Sequence, residues 1–273
     1  MKKIVIQGVK GCYHDIAAGE YFKENQMEIV ESQSFDEMFD ILNENTDYYA
    51  IMAIENTIAG NLLKNHELLR KSNMHIIGEH RLRISHSLCT LPGQKLEDLK
   101  EVHSHPIALM QCEDFLKGAN HLKVVEKEDT AQSAKHIRER GKKGRAAICS
   151  AHAAKLYGLE IIANGIETNK RNFTRFLVLS QNERPVSHSI NKSSLVFSVP
   201  HSHGSLSKVL ATLSFYDINL SKIQSMPIIG EAWEYRFYID LTFENYDQYR
   251  KSLDAIIPFT NDFKILGEYE ESK

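Results

Sequence analysis

The chain has few cysteines, no long apolar run and no marked excess of either charge. Its four cysteines, Cys12, Cys89, Cys112 and Cys149, are far apart, and each sits in or beside an apolar segment. That spacing argues against a disulfide framework or a cysteine-based zinc site and reads as reduced, partly buried thiols. No apolar stretch approaches the roughly 20 residues of a membrane span, so no membrane partner is expected. The opening run Ile4-Val5-Ile6 stops at Gln7-Gly8 with no small-residue cleavage site behind it, and the expected compartment is cytoplasmic. Thirty-three basic side chains stand against 36 acidic ones, a net charge of −3, with no basic tail. A nucleic-acid partner is therefore not expected. A Gly-rich phosphate loop, a dinucleotide fingerprint and a His-Glu-x-x-His motif are all missing. His103-x-His105 and His201-x-His203 have a spacing that is weakly specific for metal, with no carboxylate or Cys partner read beside them. They read as loop histidines, and no metal is expected.

What is present is an ordinary globular composition, 42% hydrophobic and 25% charged over 273 residues, enough for one large domain or two smaller ones. Up to residue 180, short apolar runs alternate with helical patterns. Residues 4–6 read as a strand and 15–23 as a helix. Phe35, Met38, Phe39 and Leu42 repeat at helical spacing. Residues 49–54 are apolar without alternation, as expected for a strand buried on both faces. Further strands are expected at 75–77, 85–90, 102–104, 123–125 and 146–149, with helices near 106–117, 130–139 and 150–157. This order predicts an α/β fold with mostly parallel sheet.

After Ser180 the rhythm changes. Residues 181–192 are polar, carry Pro185, and read as a linker. Beyond them come a strand at 194–199, a helix marked by Leu206, Val209, Leu210 and Leu213, and strands at 219–229 and 235–243. A helix marked by Tyr249, Leu253 and Ile256 and a strand at 263–268 complete the chain. The order βαββαβ predicts a ferredoxin-like plait. Such a plait leaves one sheet face or edge free for pairing, so a homodimer through this module is expected.

Five polar clusters follow strand candidates: residues 8–15, 55–60, 104–111, 128–132 and 172–176. In an open α/β fold, strand ends converge on a crevice. The last cluster places Asn172, Thr174 and Arg175 at the mouth of an apolar strand, and a hydroxyl beside a guanidinium suits an anionic substrate that shares a proton. Asp129-Thr130 opens a helix whose free N–H groups would attract a carboxylate.

These clusters resemble the prephenate dehydratase family nearly end to end. Gly8-x-x-Gly11-Cys12-Tyr13 resembles its opening motif, and Ala53-Ile54-Glu55-Asn56-Thr57-x-x-Gly60 is similar to its Pro-Ile-Glu-Asn-Ser-x-x-Gly. Ser104-His105-Pro106-Ile107-Ala108 with Gln111-Cys112, Asp129-Thr130-Ala131 and Asn172-Phe173-Thr174-Arg175-Phe176 resemble further segments, the last being the most specific. Gly204-Ser205-Leu206 and Gln224-Ser225-Met226-Pro227 resemble the effector segments of the family's C-terminal ACT module, although Gln224 and Met226 replace the usual Glu and Arg.

The resemblance implies a two-lobed catalytic region of the periplasmic-binding-protein-like (type II) kind over 1–182. Lobe one would hold 1–82 and 162–182, and lobe two 83–161. A linker would cover 183–192 and a ferredoxin-like ACT domain 193–273. It implies a cofactor-free carbon-oxygen lyase that converts prephenate to phenylpyruvate. Thr174 would be catalytic. Glu55, Asn56, Thr57, Ser104, His105, Thr130, Ala131, Asn172, Arg175 and Phe176 would bind substrate. Gly204, Ser205, Leu206, Gln224, Ser225 and Pro227 would bind L-phenylalanine as effector, in a homodimer or homotetramer joined through ACT modules. Arogenate as substrate, or a non-catalytic ligand-binding protein on the same scaffold, are the alternatives.

Overall fold

The computed structural model describes residues 1–23, 27–183, 187, 189–231 and 233–272. Arg184, Pro185, Val186 and His188 of the expected linker lie outside the described residues.

The chain begins β1 (Lys2–Gln7), α1 (Tyr13–Phe22), β2 (Met27–Ser32), α2 (Phe35–Glu44), β3 (Tyr49–Asn56) and the two-residue β4 (Gly60–Asn61). Then follow α3 (Leu63–Lys71), β5 (His75–Arg83), β6 (Ser87–Thr90), β7 (Glu101–Ser104), α4 (Pro106–Gln111), α5 (Glu113–Gly118) and β8 (Lys123–Glu126). Next come α6 (Thr130–Arg140), β9 (Arg145–Cys149), α7 (Ala151–Leu156), β10 (Glu160–Asn164) and β11 (Phe173–Ser180). The C-terminal part runs β12 (Lys192–Ser198), α8 (Ser205–Phe215), β13 (Asn219–Pro227), β14 (Tyr235–Thr242), α9 (Tyr246–Ile256) and β15 (Asn261–Tyr269).

Three sheets form among the described residues. The first has the order β2-β1-β3-β11-β5, with β1 parallel to both β2 and β3. The second has the order β10-β6-β9-β7-β8, parallel across β9-β7-β8 and antiparallel across β10-β6-β9. The expected mostly parallel sheet is thus two mixed sheets, as the expected pair of lobes requires. The expected boundary between the lobes falls inside a strand. Residues 160–164 form β10 on β6, so a boundary at 161/162 would cut a strand.

Local sequence explains the elements. Ser34 caps α2, accepting from Glu37 N at 3.1 Å, and Met38, Phe39 and Leu42 point into the core. Each buried side chain of that size contributes about 1.5–3 kcal/mol. The expected helix 106–117 is broken at Cys112, which ends α4 and begins α5. All four cysteines are free and buried; burial pushes the Cys112 thiol up to about 12.

Two compact units divide the chain. One comprises Met1–Leu62 and His80–Phe176, the other Leu63–Glu79 and Leu177–Lys273. The first holds nearly all of both expected lobes. The second holds the plait, with sheet order β13-β14-β12-β15, in which β12 pairs antiparallel with β14 and β15, and β13 with β14. Leu195, Phe197, Ile239 and Leu241 form its core with Val209 and Leu213 of α8 and Tyr249, Leu253 and Ile256 of α9.

The opposite sheet face is not left free, as the plait pattern alone suggested. It carries polar residues, with Ser194 Oγ donating to Asp240 Oδ1 at 2.5 Å, and α3 of the same chain engages it. Tyr238 donates to Glu67 Oε2 at 2.8 Å, His66 stacks edge-on to Tyr238 at 5.2 Å, and Lys264 Nζ donates to the carbonyls of Arg70 and Ser72 at 2.9 Å each. Arg236 and Arg70 flank Glu67, and the nearby guanidinium of Arg70 holds the Glu67 carboxyl down at about 2. Lys192, expected in the linker, is instead buried in β12 and paired with Glu79 at 2.9 Å.

Candidate active site

Asn56, Thr57, Asn172 and Thr174, four of the polar side chains that the sequence placed at strand ends, meet in the first compact unit, at the end of β3 and the start of β11. Asn56 closes β3 and turns the chain back on itself. Its side-chain oxygen accepts from Ile58 N at 2.9 Å and Ala59 N at 2.8 Å. An Asn side chain that mimics a backbone turn in this way has its amide end fixed. The Asn56 nitrogen then donates to Asn172 Oδ1 at 2.8 Å and Thr174 Oγ1 at 2.9 Å, with a longer contact to Phe173 O at 3.2 Å. Thr57 ties the same two segments together. Its backbone N–H donates to Phe173 O at 2.9 Å, and its hydroxyl accepts from Phe173 N and donates to Arg171 O, both at 3.0 Å.

Asn172 is fully buried and donates to Gln111 Oε1 at 2.9 Å, which brings the end of α4 into the cluster. Gln111 in turn donates to Asn56 Oδ1 at 3.3 Å. Three stretches far apart in sequence thus converge on one hydroxyl. Thr174 Oγ1 accepts from Asn56 and makes no other hydrogen bond among the described residues. Its lone pair is engaged and its proton is not. A hydroxyl held in this sense is a donor aimed away from its support, which is what stabilisation of a departing oxygen requires.

The charged neighbours sort differently. Alternation along β11 puts Thr174 and Phe176 on one side and Phe173 and Arg175 on the other. Arg175 Nε lies 2.6 Å from Glu55 Oε1, off the N–H axis, so the contact is an ion pair rather than an aligned hydrogen bond. Arg175, which the resemblance implies as a substrate-binding residue, is 6% exposed and paired with Glu55. Phe176 is 1% exposed and packs edge-on against His14 at 5.1 Å, so it belongs to the core rather than to a substrate surface.

A profile of the prephenate dehydratase family, described as "PDT: Prephenate dehydratase", matches residues 4–184. The chain belongs to the prephenate dehydratase family. It is 34% identical over 270 residues to a bifunctional chorismate mutase/prephenate dehydratase of Buchnera aphidicola, covering 97% of this chain and 70% of that one. Plant arogenate dehydratases of Arabidopsis thaliana and Petunia hybrida are among its other relatives. A solved structure described as GqqA, a novel type of quorum quenching acylase, is 30% identical with a TM-score of 0.88, covering 99% of this chain and 98% of that one. Prephenate dehydratase from Arthrobacter aurescens, solved with L-Phe, superposes with a TM-score of 0.88 at 24% identity, covering 98% and 89%.

The other residues that the prephenate dehydratase resemblance singles out fall into two groups. Ser104 is spent within the fold: it is fully buried and its hydroxyl donates to Ile148 O at 2.6 Å, joining β7 to β9. His105 caps α4, its Nδ1 accepting from Ile107 N at 3.2 Å, and burial lowers its pKa against an opposing pull from Asp129. It borders a surface groove with Glu126, Gln132, His136 and Arg140 rather than the Asn56 cluster. The expected anion site at the start of α6 is corrected too. Asp129 accepts from Gln132 N at 2.7 Å, so this helix end is already met by the chain's own carboxyl, whose pKa burial raises. Thr130 and Ala131 lie buried beside it, and the Thr130 hydroxyl makes no hydrogen bond among the described residues. His103 has the partner that the sequence reading missed: Glu101 Oε2 at 3.1 Å.

The opening motif approaches the same carboxyl. Gly8 has φ +103°, and a Cβ there would stand 3.1 Å from Asp129 Oδ2. Glycine is thus needed both for the turn and for the close approach. Ser150 Oγ donates to Gly11 O at 3.0 Å and Tyr157 to Lys10 O at 2.6 Å, joining this motif to the second-sheet segment.

Two polar residues at the cluster were not singled out as site residues. Gln111 stood inside a recognised segment, seven residues after Ser104, and its place at the end of a short helix was the available signal. His86 stood between Ser85 and Ser87 in the strand candidate 85–90, with nothing to mark it.

The effector segments lie in the plait. Register places Ser198, Arg236 and Met226 side by side across β12, β14 and β13. The end of β13, where Gln224, Ser225 and Pro227 lie, and the loop leaving β12 toward Gly204, Ser205 and Leu206 are thus at one end of the sheet.

Proposed function

We propose that this chain is a prephenate dehydratase, a lyase that expels the ring hydroxyl and the ring carboxylate of prephenate together to give phenylpyruvate. The observation that carries the reading is Thr174: its oxygen is held by Asn56 and its proton is left for a substrate. Prephenate needs that donor. Its C–O bond breaks to hydroxide, a poor leaving group, while carbon dioxide leaves and the ring becomes aromatic. A threonine hydroxyl is too weak an acid to give up its proton fully, so it acts through a hydrogen bond that strengthens as charge develops. One such donor contributes roughly 3–4 kcal/mol in other enzymes. Asn56, Thr57, Asn172 and Thr130 supply the neutral lining. The reaction as written needs no cofactor.

An acylase, the activity named for the 30% identical structure, would need a base on its nucleophile. The Asn56 amide that holds Thr174 cannot accept a proton, so that reading gains nothing from the site. Arogenate differs from prephenate by an amine, and the same donor serves both.

L-phenylalanine is the proposed effector, bound at the end of the plait that carries Gly204–Leu206 and Gln224–Pro227. The exposed edge of β13 is the proposed pairing surface for a homodimer or homotetramer. A cytoplasmic location is proposed from the free, buried cysteines. No helix among the described residues is long and apolar enough to cross a membrane.

The deciding experiment follows phenylpyruvate formation from prephenate, and phenylalanine formation from arogenate, by wild type and Thr174→Ala. No turnover of either substrate by wild type overturns the enzyme reading. Undiminished turnover by Thr174→Ala overturns the role given to Thr174.

A further inference from the structure

The hydrogen bonds of the Thr174 cluster continue past Gln111. Gln111 Oε1 lies 2.9 Å from His86 Nε2, and His86 Nδ1 lies 2.8 Å from the Tyr13 hydroxyl. His86, Gln111 and Asn172 are all buried, so water does not complete these bonds.

The sense of every donor can be derived from two backbone amides. Ile58 N and Ala59 N both donate to one end of the Asn56 side chain, so that end is oxygen. Its nitrogen then faces Asn172 and Thr174 and donates to both. The Asn172 atom that receives is oxygen, so its nitrogen faces Gln111 and donates there. The Gln111 atom that receives is also oxygen, so the ring nitrogen opposite it carries hydrogen. That nitrogen is Nε2 of His86. Burial holds His86 below the ordinary imidazole range against the opposing pulls of Gln111 and Glu167, which leaves a neutral ring with one hydrogen. Nδ1 is then a lone pair facing the Tyr13 hydroxyl, whose single hydrogen is shared between Nδ1 and Ser85 O, each 2.8 Å away.

The other tautomer would set two lone pairs face to face at the His86–Gln111 contact. Turning Gln111 over would relieve that contact and present its nitrogen to the nitrogen of Asn172. Turning Asn172 and then Asn56 would only pass the conflict along, until the Asn56 nitrogen faced two backbone N–H groups. The chain of amides therefore has one satisfied arrangement, and that arrangement points the Thr174 proton outward.

We propose that His86 is a positioning residue for the dehydration. As its Nε2–H tautomer it holds Gln111, Asn172 and Asn56 in the sense that leaves the Thr174 proton for the departing hydroxyl. This proposal rests on the prephenate dehydratase reading above, and its tests separate the two. The tautomer is read without substrate, by ¹⁵N NMR of the full chain labelled at histidine. The expected spectrum shows His86 with hydrogen on Nε2 and a bare Nδ1 at neutral pH. The Nδ1–H form, or an imidazolium, overturns the proposal whatever the enzyme does.

The kinetic arm compares His86→Leu, His86→Gln and His86→Asn with prephenate. Loss of the donor leaves a buried acceptor unmet, so His86→Leu lowers kcat roughly tenfold or more, with KM within about twofold. Glutamine carries its amide nitrogen near the position of Nε2 and restores most of kcat, whereas asparagine reaches only the Nδ1 position and does not. Equal rates for the leucine and glutamine variants overturn the positioning role. Should wild type turn over neither prephenate nor arogenate, the functional reading fails and the NMR result alone decides the tautomer.

Discussion

The buried pair Lys192–Glu79 invites a quantitative test. The Glu79 side chain is 0% exposed and that of Lys192 is 3% exposed. Lys192 Nζ donates to Glu79 Oε1 at 2.9 Å and Oε2 at 3.1 Å, and Ser272 N donates to Oε1 at 3.0 Å. At an effective dielectric near 20, charges this close attract by about 6 kcal/mol, most of which is offset by removing both ions from water. Breaking such a pair from one side is costlier than the net worth of the pair, because a buried charge is stranded. Lys192→Met keeps the length of the side chain and removes the amine. It should lower the stability of the unit that contains β12 by about 3–5 kcal/mol, a fall in Tm on the order of 10 °C. The companion Glu79→Gln/Lys192→Met removes both charges, keeps an acceptor for Ser272 N, and should recover most of the loss. Urea denaturation and calorimetry of the three proteins provide the measurement. A loss below about 1 kcal/mol for Lys192→Met refutes the stranded-charge argument. A double variant as unstable as the single one refutes it differently, by showing that the cost is lost packing.

Four further outcomes are expected. Asn56→Asp keeps shape but replaces two donated hydrogens with lone pairs, turning the Thr174 proton inward; kcat with prephenate should fall about 10²–10³-fold. Thr174→Ser should retain most activity, and wild-type kcat in Asn56→Asp would remove the orientation argument. Gly267→Ala would place a Cβ 2.1 Å from Ile76 O and 2.6 Å from Ile76 Cβ. That overlap should cost about 1–3 kcal/mol or more, and an unchanged urea midpoint would show that β15 shifts freely. Finally, burial lowers His14 from 6.5 to about 4, its ring packing edge-on against Phe35 and Phe176. The unfolded chain binds that proton near pH 6.5 while the folded chain refuses it until about pH 4, so stability is complete above this window. It falls as pH drops through the window, by up to about 3 kcal/mol. His14→Asn should flatten that slope; urea midpoints from pH 4 to 7 with identical slopes in both proteins would refute it.

Legibility in the sequence followed the range of the forces at work. The helical spacing of Phe35, Met38, Phe39 and Leu42 and the alternation from Tyr235 to Phe243 are local, and they located α2 and β14 correctly. Asn56, Thr57, Asn172 and Thr174 were legible as polar residues ending buried strands, and the structure joins them directly. Pairings across long sequence separations were not legible. Arg175 with its guanidinium at a strand mouth read as a substrate clamp, because nothing in the sequence shows Glu55 reaching it first. Ser104 read as a site hydroxyl, because the carbonyl of Ile148 that accepts from it lies 44 residues away. His86 stood between Ser85 and Ser87 with nothing to mark it, and α3 was hidden by a weak pattern in which His66 and Glu67 serve partners in β13 and β14. Lys192 read as the end of the linker because a lysine is normally exposed, and nothing in the sequence shows Glu79 reaching it.

The placement of residues 63–79 has a consequence for how this protein can change over generations. They are encoded between Asn56 and His86, two residues of the Thr174 cluster, yet they belong to the compact unit of the C-terminal plait. The final 80 residues therefore cannot be exchanged for those of a relative as a self-contained cassette. A graft joined after Ser180 would inherit Glu67, Arg70 and Glu79 from one parent and Tyr238, Arg236 and Lys192 from the other. Recombinants should survive where both parents carry matching charges at these positions, and substitutions at Glu79 and Lys192 should be found in pairs.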